Sequence, residues 1–156
     1  MSESKNILVG IDGSEFSPAA LRLAGRLATA LDAPLKVLTC LGYSDFYLPE
    51  RMPPGGDLDT PAELEAIARR LMEQAIERAF GQERPEHLVA VVKVGSPAKV
   101  LVEESRDAQL LVVGRRGRGG LLGQLMGSVS AACTAHAHCP VVVVSQEAGE
   151  DHGTNP

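Results

Sequence analysis

Gln109-Leu110-Leu111-Val112-Val113-Gly114-Arg115-Arg116-Gly117-Arg118-Gly119-Gly120-Leu121-Leu122-Gly123-Gln124-Leu125-Met126-Gly127-Ser128-Val129-Ser130 is the stretch on which the reading of this chain turns. It opens with an apolar run, Gln109 to Val113, that has no polar alternation. A short run of this kind fits a strand buried on both faces. A long turn with five glycines before Gly127 follows, and then Gly127-Ser128 opens a helix carrying Val129, Ala132 and Cys133. Glycine lets the backbone approach a bulky anion closely. A helix N-terminus offers unpaired N–H groups and the positive end of the helix dipole. Three arginines and no acid lie between Gly114 and Ser130, so the turn is locally basic. A strand, a glycine-rich turn and a helix in this order make a candidate phosphate cradle. A solvated glycine-rich loop is the alternative.

Four further apolar runs accompany this one: Asn6 to Ile11, Leu35 to Leu41, His87 to Val94 and Pro140 to Val144. Lys93 interrupts the third. Helical patterns fill the gaps. Ala20, Leu23, Ala24, Leu27, Ala28 and Leu31 fall on one helical face after Ser17-Pro18, an N-cap followed by proline at the first helical position. Thr60-Pro61-Ala62-Glu63 matches a capping box. The helix it opens runs through Leu64, Ile67, Ala68, Leu71, Ala75, Ile76 and Ala79. Ser96-Pro97 opens a shorter helix with Val100, Leu101 and Val102. The predicted order is β-α-β-α-β-α-β-α-β. It implies an α/β fold: a parallel sheet with helices on both faces and right-handed crossovers.

Composition narrows the class. The chain has 156 residues and is 44% apolar, which suits one domain with an aliphatic core, since aromatics are only 3% and tryptophan is absent. We expect that domain over residues 1–144 and a disordered polar tail over 145–156. Fifteen basic against twenty acidic residues give a net charge of −5, which argues against general affinity for nucleic acid or anionic membranes. No run approaches the roughly 20 apolar residues of a membrane-spanning helix, and the start lacks the pattern of a secretory signal. Cys40, Cys133 and Cys139 form an odd, sparse set that suggests free thiols and a cytoplasmic location.

In an open α/β sheet, ligands bind beyond the carboxyl ends of the strands, where the strand order reverses. Asp12, in Asp12-Gly13-Ser14-Glu15 after the first strand, could accept bonds from ribose hydroxyls or an adenine amino group, or hold a metal ion. It could equally cap the turn into the first helix. The loop from Gly42 to Asp59 contains Pro49, Pro53, Pro54, Gly55 and Gly56, together with Tyr43, Phe46 and Tyr47. Those aromatics either anchor the loop or make it a lid or a contact surface.

These features together resemble the universal stress protein family, in its nucleotide-binding branch. Its members carry glycine, two residues, glycine, nine residues, then glycine and Ser or Thr. Gly114, Gly117 and Gly127-Ser128 reproduce that spacing. Ile7-Leu8-Val9-Gly10-Ile11-Asp12-Gly13-Ser14, Val94-Gly95-Ser96-Pro97 and His138-Cys139-Pro140-Val141-Val142-Val143-Val144 look like the family's first strand, third strand end and last strand. The resemblance implies a Rossmann-like, five-stranded parallel sheet of order 3-2-1-4-5 that binds ATP, with Mg²⁺ accompanying it. It implies that Asp12 contacts the nucleoside and that Leu41 lines the adenine pocket. Gly114 and Gly117 would shape the loop. Gly127, Ser128, Val129 and Ser130 would bind phosphates through N–H and hydroxyl groups. It also implies a homodimer through Val141 to Val144, a pairing that suits an exposed apolar edge. Charge alone suggests Arg115, Arg116 and Arg118 either as phosphate contacts or as solvated residues.

The resemblance therefore implies a nucleotide-dependent sensor in a stress response. A weak ATPase, or a dimeric interaction module of the same fold without nucleotide, are the alternatives. Slow hydrolysis would need a metal ion and Asp12 or Glu15 to position a water. Other readings lack their residues. A P-loop needs a lysine that is absent here, and a receiver domain needs an acid pair after the first strand. The arginine-glycine scrap occurs once and contains no aromatic, which weakens an RNA-binding reading. Cys133, His136, His138 and Cys139 are close in sequence, but the chain breaks toward the last strand between them, which spoils tetrahedral convergence.

Overall fold

The structure, a computed structural model, describes residues 5–12, 17–42, 61–115 and 126–145. Strand β1 (Asn6–Ile11) is followed by helix α1 (Ser17–Ala30), β2 (Leu35–Leu41), α2 (Pro61–Phe80), β3 (Leu88–Val94) and α3 (Pro97–Glu104). A single 3₁₀ turn (Ser105–Asp107) then leads to β4 (Ala108–Gly114), α4 (Ser128–His136) and β5 (Val141–Val144). All four strand pairings are parallel, and the sheet order is β3-β2-β1-β4-β5. The chain builds outward from β1 to β3, crosses back, and lays β4 against the other side of β1. The reversal therefore lies between β1 and β4, and in sheets of this kind the ligand crevice lies beyond the carboxyl ends of the strands at that point.

Alternate residues of the strands feed two apolar layers, as the pleat requires. Ile7, Val9, Ile11, Leu35, Val37, Val112 and Val144 pack under α1 and α2. Leu8, Leu38, Leu111 and Val113 face the other way, against Leu101 of α3 and Cys133 of α4. Burying each such side chain stabilises the fold by about 1.5–3 kcal/mol. Two glycines let helices approach closely. A Cβ on Gly10 would stand 2.8 Å from Leu101 Cδ1, so α3 rests on the backbone of β1. A Cβ on Gly25 of α1 would stand 2.6 Å from Phe80 Cε1 at the end of α2.

The helical faces differ in detail from the expected ones. The α1 face is centred on Ala20, Leu21, Ala24, Gly25 and Ala28, and Leu31, in the turn after the helix, is exposed. On α2 the buried residues are Leu64, Ala68, Met72, Ala75 and Ile76, whereas Leu71 is exposed. Periodicity located both helices, but tertiary contact selected which neighbouring row turns inward. Lys93, the residue that breaks the third apolar run, is an edge-strand cation bound to Glu104 at the end of α3. Thr60, Tyr43 to Asp59 and the tail after Ser145 lie outside the described residues.

Candidate functional site

The carboxyl ends of β1 and β4 bring the two informative segments to one crevice, because Gly10 and Val113 are register partners. Asp12 stands two residues past Gly10. Its Oδ1 accepts a hydrogen bond from Ser17 Oγ at 3.4 Å, and Ser17 is buried at the start of α1. The bond joins the loop after β1 to the helix that follows. Sequence reasoning missed Ser17 as a partner of Asp12, since it was read only as a cap. The clue was its place at the helix start, five residues after the acid.

Across the crevice, β4 ends at Gly114, and the chain turns out through Arg115. The Arg115 N–H donates to Val144 O of β5 at 2.8 Å. The Arg115 carbonyl accepts from Gly127 N–H, also at 2.8 Å, at the point where the chain returns to start α4. Ser130 Oγ donates to Gly114 O, and it lies 3.1 Å from Arg115 O. The two ends of the glycine-rich segment are thus joined at Arg115. Gly117 lies outside the described residues, as do Arg116 and Arg118.

Gly127 is the N-cap of α4, with φ −67° and ψ 161° and no side chain to cap the helix. These are extended angles that any residue adopts, so no backbone strain calls for glycine here. Ser128, Val129 and Ser130 are the first three helical residues, and their N–H groups have no acceptor within the helix. Together with the helix dipole they form a positive, hydrogen-donating surface beside Gly114. Ser128 is exposed, Val129 half-buried and Ser130 buried.

Leu41 stands apart from this group. Its side chain is buried with Leu64 and Ala68 of α2, and its carbonyl accepts from Gly95 N–H at 2.8 Å. Gly95 has φ +145°, a conformation side chains rarely adopt, so this turn after β3 depends on glycine. One strand position before Cys40, Thr39 is buried and its Oγ1 has no hydrogen-bond partner among the described residues. The sequence gives no signal for such a group, because burial of a strand threonine depends on what covers it.

The remaining chemistry lies away from the crevice. Burial pushes the Cys133 thiol up to about 11, reinforced by Cys139 nearby. Burial likewise raises Cys139, against an opposing effect of Lys5. Glu104 bonds Lys36 at 3.0 Å and also Lys93. Burial pushes its carboxyl up, but the bonds from Lys93 and Lys36 outweigh this and hold it below the usual range. Among the described residues no three His, Cys, Asp or Glu side chains gather as a metal site. No described helix is long and apolar enough to cross a membrane.

The fold defines a doubly wound parallel α/β domain with a helix N-terminus, that of α4, at its switch point. The family model for the universal stress protein family matches residues 3–145, and the chain belongs to that family. The universal stress protein Rv2005c of Mycobacterium tuberculosis is 41% identical over 145 residues, which cover 90% of this chain and 45% of that protein. The chain thus spans about half the length of that relative. A solved universal stress protein in complex with cAMP is 28% identical and has a TM-score of 0.59, covering 92% of this chain and 99% of the other. The universal stress protein from Archaeoglobus fulgidus in complex with dAMP shares the fold, with 21% identity, a TM-score of 0.63 and coverage of 92% and 98%.

Proposed function

We propose that this protein binds an adenine nucleotide, ATP with Mg²⁺, in the crevice beyond β1 and β4. It acts as a nucleotide-dependent sensor in a stress response rather than as an efficient enzyme. The observation that carries the reading is the N-terminus of α4, with the amides of Ser128, Val129 and Ser130, held beside Gly114 at the end of β4, the strand that pairs with β1 and so with the strand that leads to Asp12. Solved universal stress proteins in complex with cAMP and dAMP support an adenine nucleotide as the ligand class.

In this reading the amides of Ser128 and Val129 and the Ser128 hydroxyl receive phosphate oxygens, where charge-assisted bonds are strongest. Asp12 accepts from the nucleoside, and Ser17 helps to hold its carboxylate. Gly114, Arg115 and Gly117 border the phosphates. Leu41 lies under α2, so it shapes the pocket floor from behind. Mg²⁺ commonly binds through one or two carboxylates plus substrate phosphates, and Asp12 is the carboxylate available for that. When bound, the ion would neutralise phosphate charge.

We further propose that a second copy pairs through the outer edge of β5. Val141, Val142 and Val143 are only half-buried on a strand that pairs with β4 alone in this sheet. A relative about twice this length is in keeping with a paired unit. We place the protein in the cytoplasm, as its sparse set of three cysteines suggests.

The test is to denature freshly purified protein, chromatograph the supernatant for adenine nucleotide, and titrate the protein with Mg·ATP by calorimetry. Bound nucleotide with less than one turnover per hour sustains the sensor reading. Multiple turnovers lost in Asp12→Ala would favour an ATPase. No nucleotide in either experiment would leave the dimeric interaction module.

A further inference from the structure

Ser130 occupies a position where a phosphate-binding hydroxyl would be expected, yet its geometry points elsewhere. The residue is 3% exposed. A serine hydroxyl has one proton, and here that proton is directed at the carbonyls of Gly114 and Arg115. The Arg115 carbonyl is shared with Gly127 N–H. The Arg115 N–H, on the preceding peptide, donates to Val144 O of β5. Four segments meet at this residue: the end of β4, the end of β5, the root of the glycine-rich segment and the first turn of α4.

We infer that Ser130 is a positioning residue: its hydroxyl ties the root of the glycine-rich segment to α4 and so fixes the amides of Ser128 and Val129 against Gly114. The donor is spent on the chain's own carbonyls, so Ser130 contributes to phosphate binding through other groups. The tie exists without ligand. Its consequence for affinity rests on the proposed nucleotide site, and the two are tested separately.

Ser128 makes the contrast clear. It lies two residues earlier on the same turn and is exposed. The two serines of Ser128-Val129-Ser130 are therefore divided in role. One meets the ligand, and the other braces the surface on which the ligand rests.

The experiment uses the full chain without nucleotide. Trypsin can cut after Arg115, whose own carbonyl is held by the tie, and after Arg116 and Arg118 beyond it, and the products are assigned by mass spectrometry. Cleavage of a transiently opened segment follows the population of the open form. Loss of one net hydrogen bond changes such a population by roughly five- to tenfold. Ser130→Ala should therefore speed cleavage at these arginines by roughly that factor, while cuts after Arg69 and Arg70 in α2 keep the parent rate. Ser130→Thr, which restores the hydroxyl, should return cleavage to the parent rate.

Gly127→Pro provides an independent arm. Its φ of −67° already suits proline, so the change removes the N–H that donates to Arg115 and leaves Ser130 in place. It too should accelerate cleavage. If Ser130→Ala does not fold, Ser130→Cys, a weaker donor of similar size, should give a cleavage rate between parent and Gly127→Pro. Parent-rate cleavage in Ser130→Ala, with ATP affinity lowered, would overturn the inference and make Ser130 a phosphate ligand. Faster cleavage in a protein that binds no nucleotide would sustain the tie and remove only the proposed function.

Discussion

Replacing Gly127 by valine should separate phosphate binding from folding. The backbone at this N-cap is extended, and valine adopts it without strain. The Gly127 N–H remains, so its bond to Arg115 O is kept. Valine is a poorer N-cap than glycine, at a cost of about 0.5–1 kcal/mol. The melting temperature should therefore fall by about 1–4 °C for a chain of this length. The branched side chain would stand in front of the amides of Ser128 and Val129. Losing two charge-assisted bonds of about 1.5 kcal/mol each removes about 3 kcal/mol of binding. At 1.4 kcal/mol per decade, ATP affinity falls by about 100-fold. Adenosine has no phosphate, and its affinity should stay within about threefold. Calorimetry with ATP and adenosine, beside a thermal melt, reads all three quantities. ATP binding as tight as the parent's in a folded Gly127→Val protein would refute the placement of the phosphates at α4.

Other expectations concern the body of the domain. Thr39→Val keeps the branched shape and removes a buried hydroxyl that has no partner among the described residues, so it should stabilise by about 1–2 kcal/mol in urea unfolding; destabilisation would mean the hydroxyl is satisfied in solution. Glu104→Gln should cost about 1–2 kcal/mol at neutral pH, discounted for the exposure of its lysine partners. The sign with pH follows from the two shifts. Glu104 is held low, so its contribution is present above its unfolded value and is lost as pH falls through the folded one. Lys93 is raised by its bond to Glu104, so its contribution is lost as pH rises through its folded value, above 10.5. Denaturation midpoints across pH should show both losses in the parent and neither in the variant. Cys133, buried and pushed up to about 11, should resist a thiol reagent at pH 8 until urea is added; prompt labelling of this cysteine in the native protein would contradict its burial.

Much of this molecule was legible one segment at a time. Strands buried on both sides declare themselves as continuous Val, Ile and Leu, and Ser-Pro or a helical period marks each helix. The spacing Gly114, Gly117, Gly127-Ser128 suffices to suggest the family and the end of the sheet where a ligand belongs, because glycine positions and helix starts are local properties. The facing of the helices was less legible. Leu71 and Met72 are neighbours with similar apolarity, and only the position of α2 over β2 and β3 decides that Met72 turns inward. The tertiary structure alone brought Ser17 to Asp12, seated Leu41 beneath α2, and left Thr39 without a partner among the described residues. It also divided the roles of two serines that the sequence treats alike. Ser128 and Ser130 sit on one helical turn, but only Ser130 points back at the carbonyls of Gly114 and Arg115. Sequence determines which groups a chain carries and the period on which they repeat. Which donor meets which acceptor depends on how separate segments converge, and that is settled by packing across the sheet.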